Sequence, residues 1–104
     1  MSVEMNQTDE GCELVIDDEM TIYTAATLKQ ELLDKVSGCS HISVSLEKVS
    51  EMDTAGLQIM LMLFDEARRQ HQQLHFVNHS AAVVDVLETM NLVAHFGDPV
   101  VMPA

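Results

Sequence analysis

The chain of 104 residues has no tryptophan, one tyrosine and three phenylalanines. Basic residues are almost as scarce: five Lys and Arg stand against 17 Asp and Glu, a formal charge of −12. Repulsion at that charge argues against nucleic-acid and anionic-membrane partners, and apart from Arg68 and Arg69 the cations are scattered. The two prolines, Pro99 and Pro103, both fall in the last six residues, and no internal repeat, low-complexity tract or linker interrupts the chain. A single domain over residues 1–104 is expected. The longest unbroken aliphatic and aromatic run, Ile59 to Phe64, is far below the roughly 18 residues of a membrane span, so no membrane insertion is expected. Residues Met1 to Gly11 carry Glu4, Asp9 and Glu10, no basic residue and no apolar stretch, unlike a secretory or transit signal; cytoplasmic residence is the expectation. Cys12 and Cys39 lack CxxC spacing and are expected as thiols in a reducing compartment.

Hydrophobic residues make up 47% of the chain, enough for a core without metal or disulfide support. Cys12 to Asp17 is a short segment rich in strand formers, with Val3 to Asn6 as its partner. From Thr24 the period changes, and Ala25, Leu28, Leu32 and Val36 share one helical face between an N-cap at Thr24 and a stop at Ser37-Gly38. His41 to Leu46 alternates as a strand, Val49 to Met52 reads as another apolar strand segment, and a helix is expected from about Ala55 to Gln70. Leu74 to Asn78 alternates again. Ser80 then caps a third helix, Ala81 to about Asn91, with Val83, Val84, Leu87 and Met90 as its buried stripe. Val93 to Phe96 is read as a short strand or helix, and the ending as irregular. Strands separated by helices imply an α/β fold with parallel crossovers in a mixed sheet.

The stretch from Val49 to Leu57 runs from an apolar segment into a helix N-terminus through Asp53-Thr54-Ala55-Gly56. Exposed N–H groups and the positive end of the helix dipole favour a carboxylate, hydroxyl or phosphate there. On spacing alone, Asp53 or Thr54 caps the helix for about 1 kcal/mol and does nothing more. Gly56, without a side chain, would let another molecule approach the backbone. His71, His75 and His79 recur every four residues, but Leu74, Phe76 and Val77 between them read as a strand, so a metal site is not expected. No Ser/His/Asp order, phosphate loop or poised carboxylate pair is legible, so neither a catalytic residue nor a cofactor is expected. Ile59 to Phe64 covers every face of its helix, and part of it is read as partner surface, joined by Met20, Ile22 and Tyr23 if they lie beside Thr54.

Asp53-Thr54-Ala55-Gly56-Leu57 resembles the Asp-Ser/Thr-x-Gly-Leu signature of the STAS domain, the family of sulfate transporters and anti-sigma-factor antagonists. Glu19-Met20-Thr21-Ile22-Tyr23-Thr24-Ala25-Ala26-Thr27-Leu28 is similar to its opening motif, with Thr21 where the family has Asp, and Leu46 to Ser50 is similar to its Leu-x-x-Val-Ser strand end. The resemblance spans nearly the whole chain and implies a STAS-like mixed sheet of about four to five strands with three or four helices. It implies a regulatory binding protein, not an enzyme, whose phosphorylated residue is Thr54. Glu19, Met20, Thr21, Asp53, Thr54, Ala55, Gly56 and Leu57 would form the partner-binding surface. The partner implied is an anti-sigma factor or serine/threonine kinase. The His79 to Val83 and Phe96 to Pro99 segments add a similarity to small STAS proteins that accompany chemotaxis signalling proteins, which implies a chemotaxis-type partner instead. STAS proteins with this signature also include constitutive subunits of transport complexes, and a weak homodimer through an edge strand is compatible with the pattern.

Overall fold

The computed structural model describes residues 2–90. Two strands, β1 (Val3–Thr8) and β2 (Gly11–Ile16), form a hairpin through a two-residue turn, and α1 (Ala25–Val36), β3 (His41–Ser45), α2 (Thr54–Arg69), β4 (Gln73–Val77) and α3 (Ala81–Thr89) follow. The sheet order is β1-β2-β3-β4, with β1 antiparallel to β2 and the other neighbours parallel, so the fold is the α/β mixed sheet expected, with four strands and three helices. Gly11 begins β2 at φ +142, where an added Cβ would come within 2.3 Å of the His41 carbonyl oxygen. Only glycine lets the hairpin lie this close to β3.

Alternation along the strands separates the two faces of the sheet. Cys12, Leu14, Ile16, Ile42, Val44, Leu74 and Phe76 are buried, while Glu13 and His75 are exposed and Ser43 and Ser45 half-buried on the opposite face. Leu28, Leu32 and Val36 of α1 join this core as their spacing requires, together with Ile59, Met60, Leu63 and Ala67 of α2 and Val83 and Leu87 of α3. Burying each large aliphatic side chain contributes roughly 1.5–3 kcal/mol. Of Ile59 to Phe64, part of which is read as partner surface, Ile59, Met60 and Leu63 are buried and Leu61, Met62 and Phe64 are partly buried against the core, because α2 packs against α1, α3 and β4.

Four expectations are corrected. Val49 to Met52 is not a strand: the Val49 N–H turns back to the Leu46 carbonyl, and only Met52 pairs, as an isolated parallel bridge to Met20. Met90 lies on the surface, 46% exposed, because α3 ends at Thr89. Thr24 precedes α1 but its side chain caps no helical N–H. Cys12 and Cys39 form a disulfide, with Cα atoms 6.2 Å apart, since the parallel register that sets Cys12 opposite Ile42 brings the residues just before β3 beside β2. The segment Val93 to Phe96 and the chain end lie outside the described residues.

Candidate functional site

Two connections meet beyond the carboxyl ends of the parallel strands, where open α/β sheets usually place binding sites. One runs from β2 to α1 and carries Asp18 to Thr24; the other runs from β3 to α2 and ends at Asp53. Their backbones are joined, as the Met20 N–H donates to the Glu51 carbonyl at 2.8 Å and the Asp53 N–H to the Met20 carbonyl at 3.2 Å.

Asp53 is the N-cap of α2. Its Oδ1 accepts from the backbone N–H groups of Ala55 at 2.8 Å and Gly56 at 3.4 Å, and its Oδ2 accepts from the Ile22 N–H at 3.1 Å. One carboxylate therefore both satisfies the helix start and clamps the neighbouring loop. Thr54 is the first helical residue; it is exposed, and no hydrogen bond among the described residues engages its hydroxyl. Gly56 does not offer its backbone to another molecule as expected. An added Cβ would meet the Met20 carbonyl oxygen at 2.4 Å, the Met20 Cβ at 2.8 Å and the Met52 Cγ at 2.9 Å, so the chain itself fills that space.

The first loop is held by its own side chains. The Thr21 hydroxyl donates to Glu19 Oε2 at 2.6 Å and accepts from the Tyr23 N–H at 3.2 Å. The Thr24 hydroxyl accepts from the Thr21 N–H at 3.1 Å and donates to the Glu19 carbonyl at 2.7 Å. Thr21 thus supplies a local cap of the kind Asp gives, and Glu19 supplies the charge. Asp18 accepts from the Ser2 hydroxyl at 2.6 Å and from the Glu19 N–H at 2.8 Å, and these bonds, the serine's first, hold its carboxyl below the usual carboxylate range.

Of the sequence-derived site residues, Thr54 is exposed and Glu19, Asp53 and Ala55 are half-buried, whereas Met20, Thr21, Gly56 and Leu57 are buried and can only support the surface. Ile22 and Tyr23, 65% and 86% exposed, are the large apolar side chains that reach solvent here. Their position beside Thr54 depends on the Ile22–Asp53 bond across 31 residues, which no local pattern reveals. His71, His75 and His79 lie in a turn, on β4 and before α3, and among the described residues no group of three or more His, Cys, Asp or Glu is placed to hold a metal. No helix among them is long and apolar enough to cross a membrane.

The profile of the Mlab STAS domain matches residues 3–97. The anti-sigma-B factor antagonist of Bacillus subtilis strain 168 is 23% identical over 92 residues, covering 88% of this chain and 84% of the relative. Among solved structures, the anti-sigma factor antagonist SpoIIAA in its unphosphorylated form superposes with a TM-score of 0.68 at 15% identity, over 86% of this chain and 81% of that one. A single-residue variant of RsbS from Moorella thermoacetica gives a TM-score of 0.71 at 15% identity, over 91% and 82%. These likenesses, with the clamped Asp53-Thr54 helix start and the mixed four-stranded sheet, show that the chain belongs to the STAS-domain family, one of regulatory binding domains and not of enzymes.

Proposed function

We propose that this is a partner-switching regulator, a single STAS domain that binds a protein through the start of α2 and releases it when Thr54 is phosphorylated. The observation that carries this reading is the contrast between Asp53 and Thr54. Asp53 already occupies the N–H groups that would otherwise seat an anion at the helix start. A phosphate on Thr54, bringing about −1.5 to −2 charge and three acceptor oxygens, would find no cradle within the domain and would stand on the surface. A partner packed over the neutral hydroxyl would have to desolvate that dianion beside the Asp53 carboxylate. The fold itself need not change. The partner is an anti-sigma factor with kinase activity or a chemotaxis-type signalling protein, and Glu19, Asp53, Thr54 and Ala55 contribute to the contact.

A coupling of about 1–3 kcal/mol corresponds to a 5- to 150-fold change in affinity. Thr54→Glu should weaken partner binding by a factor in that range with an unaltered circular dichroism spectrum. Equal affinities for Thr54→Glu and the native protein in calorimetry would refute the switch.

The match to the Mlab STAS profile favours a second reading, a constitutive scaffold or subunit of a chemotaxis or transport complex in which the same surface is permanently covered and never phosphorylated. Site-mapped intact-mass spectrometry of protein from its own cells separates the two. A phosphate on Thr54 supports the switch, and its absence together with co-purification at fixed stoichiometry supports the subunit.

A further inference from the structure

Ile22 and Tyr23 stand out among the described residues as adjacent large apolar side chains at 65% and 86% exposure. They do not hang on a loose loop. The Ile22 N–H is held by Asp53 Oδ2 and the Tyr23 N–H by the Thr21 hydroxyl, while Thr21 and Thr24 close the loop on Glu19. An exposed aromatic and an exposed aliphatic on a fixed backbone form a preorganised anchor, whose burial by a partner costs little ordering entropy. The surroundings are acidic: Asp17, Asp18, Glu19, Glu47, Glu51 and Asp53 lie in the two joined connections, against one basic residue there, Lys48.

We propose that Ile22 and Tyr23 insert into an apolar socket on the partner protein and that lysine and arginine residues border that socket, facing the carboxylates of this chain. The inference rests on the reading of the α2 start as the partner face. Thr54 follows the residue that clamps Ile22, so it borders the anchor. A phosphate there must be stripped of water at the centre of the contact, where a basic rim compensates least.

The test places a photo-reactive benzoylphenylalanine at position 23, at Gln58 on the next exposed turn of α2, or at His75 on the open sheet face, each in the full chain expressed in its own cells. The cross-linked peptide is sequenced, the captured protein is purified, and its affinity for native, Tyr23→Ala, Ile22→Ala and Glu51→Gln chains is measured at low and high salt. The proposal expects an adduct at 23 and none at 75, on a partner segment whose apolar residues are flanked by lysine or arginine. It also expects a loss of about tenfold or more for Tyr23→Ala and for Ile22→Ala, with melting curves unchanged, and a shallower salt dependence for Glu51→Gln. Native affinity of Tyr23→Ala, or a captured segment lacking basic residues, overturns the proposal. An adduct at 58 without one at 23 overturns the anchor and leaves the α2-start reading standing. Adducts at neither 23 nor 58, or equally at 75, overturn both.

Discussion

Gly56 shows how one missing methyl group builds the site. It lies in the first turn of α2, where helix propensity alone would favour alanine, yet the Met20 backbone occupies the place a Cβ would take, 2.4 Å from its carbonyl oxygen. Because the obstructing atom is backbone and not a flexible side-chain end, Gly56→Ala must push the Met20 loop away from α2 and stretch the Asp53–Ile22 bond. The expected cost is about 1–3 kcal/mol in urea unfolding, opposite in sign to the gain expected of an unobstructed Gly→Ala change in a helix. Asp18 offers a second probe at this scale. Its carboxyl is held low chiefly by the Ser2 hydroxyl, so its contribution to stability is complete above the ordinary carboxylate range and is lost as the pH falls through its lowered folded value. Ser2→Ala should therefore destabilise the protein at neutral pH, and the two unfolding curves should converge once the carboxyl is protonated. Parallel pH profiles would show that the Ser2–Asp18 bond does not favour the charged carboxyl.

At the scale of elements, periodicity was the legible signal. Leu28, Leu32 and Val36 mark α1, and Ile42 and Val44 alternate with serines in β3, because each element buries one face and that burial sets the residue spacing. Val49 to Met52 looked like a strand because its residues suit one, but pairing requires a neighbour, and only Met52 finds it, in Met20. The site was legible as far as its helix start, since Asp-Thr before an apolar helix is a local pattern. The Ile22 clamp and the burial of Met20 and Gly56 were not, because they arise from the meeting of two connections. The same holds for Cys12 and Cys39, separated by 27 residues and joined through the strand register. Closing a loop of that length removes unfolded-state entropy equivalent to about 3–4 kcal/mol. Reduction with a phosphine, checked by thiol alkylation, should lower the melting temperature by more than about 10 °C while both side chains stay packed in the core. Superimposable melting curves for the oxidised and reduced protein would show that the bond does not restrict the unfolded chain.

For the whole molecule, the charge of −12 acts on a body with a radius of gyration of 12.5 Å. The ion pairs described, Arg68 with Asp65 and Arg69 with Asp65 and Glu66, all lie on the exposed last turns of α2. Pairs of this kind contribute roughly 0–1 kcal/mol each, so attraction does little to offset the repulsion among the remaining carboxylates. At about 0.01 M salt the screening length is near 30 Å, longer than the molecule's radius, and the carboxylates repel one another across the whole domain; at about 0.1 M it falls to near 10 Å. The unfolded chain, being expanded, gains less from this screening than the compact state. The melting temperature should thus rise with sodium chloride over this range, contrary to the fall expected of a domain held by surface ion pairs. Calorimetry along that series decides the matter. A melting temperature that falls with salt would mean that attractive pairs outweigh the net repulsion within the folded domain.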